Sequence, residues 1–149
     1  MDNASWGAAV TTWAVVNLVN LLQAVGFASR PRHGMAVNRA LGVVIAVLAV
    51  PATVALVIYA RARSPWWAGP ALFDLFVIFM LAVDYVRPVE FRRPAKPAIL
   101  APYLLLFFGS ILVMGLSMYE LNRGLWLVTV GTSATLLASM AVALRSGEG

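Results

Sequence analysis

Two aspartates, Asp74 and Asp84, interrupt a stretch that is otherwise free of charge from residue 64 to residue 86. Ten residues of helix set them about 15 Å apart along the axis. They lie roughly 80° apart around it, so both can face one interior. A carboxylate inside a bilayer is costly and by default marks a functional site, as a group that binds a proton or cation. Their expected partners differ. Arg87 lies one turn beyond Asp84 and is placed to pair with it. Asp74 has no basic neighbour on its own helix, so either Arg61 or Arg63 reaches it from the preceding loop or burial keeps it protonated.

A second polar set precedes them. Asn17, Asn20 and Gln23 recur every third residue, which fans them over roughly 120° of one helix face. Amides are uncomfortable against lipid. They either bond a neighbouring helix, which is the simpler reading, or wall a polar cavity. Pro51 interrupts another apolar run. It cannot donate to the carbonyl of Val47, so a kink and a candidate hinge are expected there. Thr53 is placed to take up part of the lost bonding.

The elements that must hold these groups follow from the absence of charge. Residues 3–29, 40–60, 97–119 and 124–144 carry no acidic or basic side chain. With residues 64–86 that makes five stretches, each able to cross a hydrocarbon core of about 30 Å with about 20 helical residues. The chain is 62% hydrophobic and 11% charged. Over 149 residues that is too little polar surface for a soluble domain. The runs are continuous rather than alternating, which excludes a membrane β-barrel. The expectation is an all-α integral membrane bundle of five transmembrane helices in one polytopic domain covering 1–149. Its spans are near 6–28, 38–60, 66–86, 98–119 and 124–144. The first run is too long for a signal peptide and has no basic segment ahead of it.

Composition also removes chemistries. The chain has no cysteine, so thiolate catalysis and Cys-ligated metals are out. Its one histidine, His33, sits in a loop, which excludes a bis-histidine haem within one chain. No nucleophile–base pair, metal cluster or cofactor fingerprint is present, so no enzyme, cofactor or metal is expected. Asp74 and Asp84 are too far apart on one helix for an aspartyl dyad.

Eight of the eleven basic residues fall on one side of such a bundle: Arg30, Arg32, Arg39, Arg87, Arg92, Arg93, Lys96 and Arg145. The positive-inside rule then gives an N-out, C-in orientation. The net charge of +5 is explained by these flanking loops and anionic lipid, not by nucleic acid. Trp6, Trp66, Trp67 and Trp126 fall at the opposite ends of their spans, as interfacial anchors do. The loop 87–97 holds Arg87, Arg92, Arg93 and Lys96 among three prolines. It is stiff and suited to docking anionic head groups at the cytoplasmic face, or a protein.

Counting depth along the spans groups the polar residues into two layers. Asp74 joins Thr11, Thr12, Thr129, Thr132 and Ser133, while Asp84 joins Asn20, Gln23, Tyr103 and Ser139. Gly109, Ser110, Gly115 and Ser117 in span four, and the Gly131/Thr135 step in span five, suggest close helix contacts. Asn38-Arg39-Ala40-Leu41 and Asn122-Arg123-Gly124-Leu125 hint at an inverted repeat. The functional expectation is a small multi-pass protein of a plasma or inner membrane. It binds or transports a small solute, proton or lipid-like ligand through a polar interior. The alternative is a non-catalytic accessory or scaffold subunit of a larger membrane complex. Five helices make a thin bundle, so homo-oligomers fit either.

Overall fold

A computed structural model describes residues 3–92 and 94–147; Arg93, one of the basic residues of the loop 87–97, lies outside the described residues. It holds five helices long and apolar enough to cross a membrane: α1 (Asn3–His33), α2 (Ala36–Arg61), α3 (Pro65–Val86), α4 (Pro97–Leu121) and α5 (Arg123–Arg145). Residues flanking the apolar runs punctuate them. Gly34, at φ +56°, ends α1 in the left-handed conformation that glycine tolerates, with its N–H on Arg30 O at 2.8 Å. Pro65 and Pro97 open α3 and α4, where a missing N–H costs nothing. Asn122 caps α5 by accepting from the Leu125 N–H at 3.1 Å.

The long α1 is the central post. It packs against α2, α4 and α5, while α3 closes the ring by packing between α2 and α4. The main core is built from Val15, Val16 and Val19 of α1, Ile45 of α2, Phe73, Phe76 and Met80 of α3, and Phe107 and Met114 of α4. A smaller cluster lies where α1, α2 and α4 meet, around Ala8, Tyr59 and Met118 with Trp13, Trp66 and Trp126. We call this the tryptophan end and the opposite one the basic end. Large aliphatic side chains cover the outside, including Val50, Leu105 and Leu112, each more than 60% exposed. Such a girdle suits hydrocarbon, not water.

Four local features bear on these expectations. The helical bonding of α2 loosens at Leu48, one turn before Pro51, where the Leu48 N–H is shared between Val44 O and Ile45 O. Thr53 does not relieve Val47; its hydroxyl lies 2.8 Å from Ala49 O instead. The last turns of α3, Leu81–Val86, are a π-helix. This wider winding rotates the residues after Met80 relative to those before it. Finally, Gly131 approaches nothing: a side chain there would meet open space. Gly115 does make its close approach, to Thr129 of α5.

Candidate functional site: a cavity at the basic end

Asn17 and Asn20 bond α1 to α5. Asn17 Nδ2 donates to Trp13 O at 2.7 Å and Thr129 Oγ1 at 3.1 Å, and Thr132 donates to Asn17 Oδ1 at 2.7 Å. Asn20 Nδ2 donates to Thr132 and Ser133 at 3.1 and 3.0 Å. Both asparagines are buried, so this ladder is structural bonding between helices rather than a cavity wall. Such bonds contribute about 0.6 kcal/mol each and at most about 1.7. Asn17→Ala should therefore lower stability by about 1 kcal/mol, read from unfolding in mixed micelles, without separating α1 from α5.

Gln23, one step further along, leaves the ladder and lines a cavity of about 810 Å³. The cavity opens at the basic end among α1, α2, α3 and α4, with Met140 and Leu144 of α5 at its edge. Its walls divide. The deep part is apolar: Phe76 packs edge-on to Tyr103 at 5.2 Å and beside Phe107 at 5.1 Å, with Met80 adjacent. The mouth carries Arg30, Arg39, Asp84, Glu90 and Arg92. Leu104 of α4 and Leu144 of α5, both exposed, also line it.

Asp84 reaches this mouth because of the π-helical end of α3. It pairs with Arg92, not with Arg87. The guanidinium makes two parallel bonds, Nη1 to Oδ1 at 2.8 Å and Nη2 to Oδ2 at 3.0 Å, and Tyr103 donates to Oδ2 at 3.3 Å. Burial works against the Arg92 charge, but the Asp84 carboxylate outweighs it and raises the guanidinium pKa above its ordinary value. Arg92 also lies 4.3 Å over the Phe91 ring. Phe91 is fully buried and stacks against Tyr103 at 5.3 Å. The loop that follows α3 is thus pinned across the cavity by an aromatic plug and a forked ion pair. Lys96 and Arg87 stay exposed.

The other side of the mouth is equally fixed. Arg30 is buried and stacks 4.2 Å over Phe27. It also donates to Asn38 Oδ1 at 2.7 Å, while Asn38 Nδ2 donates to Gly26 O at 2.8 Å. Tyr85 donates to the backbone carbonyl of Arg39, and its hydroxyl occupies the space left by Gly42.

Asp74 lies elsewhere. It does not join Thr12, Thr129 or Thr132, nor do Arg61 and Arg63 reach it. Its Oδ2 is 2.9 Å from Thr53 Oγ1 in the groove between α2 and α3. The two acids do not share one interior, because the π turn swings Asp84 toward the cavity. Of the predicted inner layer, Gln23 and Tyr103 share the cavity with Asp84, whereas Asn20 belongs to the ladder. Asn38 and Asn122 do different work, one bonding across α1 and the other capping a helix, which removes the main support for an inverted repeat.

Sequence reading missed Arg30, Arg39, Tyr85 and Phe91 as parts of one site. Phe91 did carry a signal: it is a large aromatic inside a loop of charges and prolines, where an unburied ring has no reason to stand. Comparison with protein-family models, curated proteins and solved structures gives no match for this chain.

Proposed function

We propose that the protein binds a membrane amphiphile with an anionic head group, held in the cavity at the basic end. The observation that supports this most is the division of one space into a cationic mouth and an apolar depth. Arg92 is held by Asp84, and Arg39 stands at the same mouth as a cation for a phosphate or carboxylate head. Arg39 is exposed and its guanidinium is available to such a head. The depth is lined by Phe76, Met80 and Phe107, which suits an acyl or isoprenoid tail. The border of exposed Leu104 and Leu144 gives the tail a route from the bilayer between α4 and α5. With the N-terminus outside, the ligand comes from the cytoplasmic leaflet. Carriage of the ligand across the membrane would be a further step on the same site.

The test is thermal unfolding of detergent-solubilised protein with added lipids. An anionic amphiphile at about one hundred times its Kd should raise Tm by about 5–10 °C. A zwitterionic lipid of the same tail should give a much smaller shift. Arg39→Gln, which keeps the backbone carbonyl that Tyr85 uses, should weaken the anionic ligand about ten-fold, the loss of one charged hydrogen bond. Equal shifts for anionic and zwitterionic lipids would contradict the proposal.

A further inference from the structure

Asp74 presents a question of proton count. The Thr53 hydroxyl lies between two oxygens, Ala49 O at 2.8 Å and Asp74 Oδ2 at 2.9 Å. A hydroxyl has one proton to give, and a backbone carbonyl has none. The second oxygen of the acid, Oδ1, is buried and has no hydrogen-bond partner. If Asp74 were ionised, Thr53 would have to turn its proton to Oδ2, and Oδ1 would hold buried negative charge with no donor. If Asp74 is the neutral acid, every proton has a place. The carboxyl O–H on Oδ2 donates to Thr53, and Thr53 donates to Ala49 O. Oδ1 is then an uncharged carbonyl oxygen, whose missing bond is far less costly than that of a charged one.

The surroundings agree. Among the described residues no charged side chain pairs with Asp74, whereas Asp84 is paired with Arg92. Thr53 of α2 is exposed, and Val50, Leu75 and Ile78 beside the pair are exposed too. The groove therefore opens toward hydrocarbon, midway along α3 and away from the cavity. We propose that Asp74 is a proton-binding carboxyl that faces lipid, a site separate from the cavity at the basic end.

Two readouts test this on the full chain in lipid at neutral pH. Infrared spectra should show the carbonyl stretch of a protonated carboxyl, shifted in deuterated water. That band should be lost in Asp74→Asn and kept in Asp84→Asn. The amide of Asp74→Asn can donate to Thr53 as the acid does, so this variant should melt near the wild-type Tm and its spectrum report on the proton alone. A hydrophobic carbodiimide should label Asp74. The acid's proton passes to a diimide nitrogen, the carboxyl oxygen bonds the central carbon, and the adduct keeps the whole reagent mass. Asp84, already held by Arg92, should stay unlabelled. A band unchanged by Asp74→Asn, or a chain labelled at Asp84 and not at Asp74, would overturn the proposal. So would a band that responds as expected beside an unlabelled Asp74, because the acid would then not face lipid.

Discussion

Asp84→Ala should lower the stability of the folded chain by about 2–3 kcal/mol and free the loop that follows α3. The magnitude comes from the position of the pair. Removing one partner of a fully buried ion pair costs about 3–5 kcal/mol, and of an exposed pair about 0–1. The Arg92 and Asp84 side chains are 27% and 19% exposed, between those limits but nearer the buried one. Without Asp84, the guanidinium keeps its stacking on Phe91 and Tyr103 but loses both forked bonds. The loop should then become a protease site between Arg87 and Lys96. Adding Arg92→Met should restore much of the loss, since no charge is then left unpaired. The double-mutant cycle would give a coupling well above 1 kcal/mol. A coupling near zero would mean that the loop is held by Phe91 alone. Thermal unfolding of the four proteins provides the comparison.

The second large effect is expected at Gly69, near the start of α3. A Cβ on this residue would lie 2.8 Å from Met114 Cγ, 3.0 Å from Met114 N and 3.2 Å from its Cα. Two of those three atoms are backbone, so α3 and α4 must move apart to admit even a methyl. Overpacking of this kind costs about 1–3 kcal/mol. Gly69→Ala should sit near 2 kcal/mol, and Gly69→Val should prevent the two helices from closing. Gly131→Ala is the contrast. Nothing lies within 4 Å of its Cβ position, so the gain in helix propensity, up to about 1 kcal/mol, should prevail. Opposite signs for two glycine-to-alanine changes in one chain are read directly from melting temperatures.

These two glycines also show what was legible in the sequence. Hydropathy and length were enough for five helices, because spanning lipid permits few alternatives and each run ends at a charged residue: Arg30, Arg61, Arg87, Glu120 and Arg145. Small residues in a row marked span five as a contact face. Spacing could not tell that Gly131 looks outward while Gly69 meets Met114, because that depends on how α3 and α4 cross. The same holds for the acids. Ideal helical geometry placed Asp74 and Asp84 on one interior. The π-helical Leu81–Val86 turned Asp84 into the cavity, and no residue type announces that extra winding. Asn17 and Asn20 were readable as bonding between helices, but their partner, α5, was not. Arg92 as the partner of Asp84 was hidden because the chain doubles back through Pro88 and Phe91, a longer path than the single turn to Arg87. Basic residues clustered at one end were plain from the outset. That the same end holds a cavity with an apolar depth required the positions of Phe76, Phe107 and Tyr103.

The cavity assignment is tested most directly by where an amphiphile tail touches the protein. An anionic amphiphile with a photoreactive diazirine near the end of its tail should be crosslinked in lipid and the adducts mapped by mass spectrometry. Adducts should concentrate on Met80, Phe107 and Met140 and disappear when excess unlabelled anionic amphiphile competes. Adducts spread over Val50, Leu105 and Leu112 on the outer girdle, undiminished by competitor, would contradict the account.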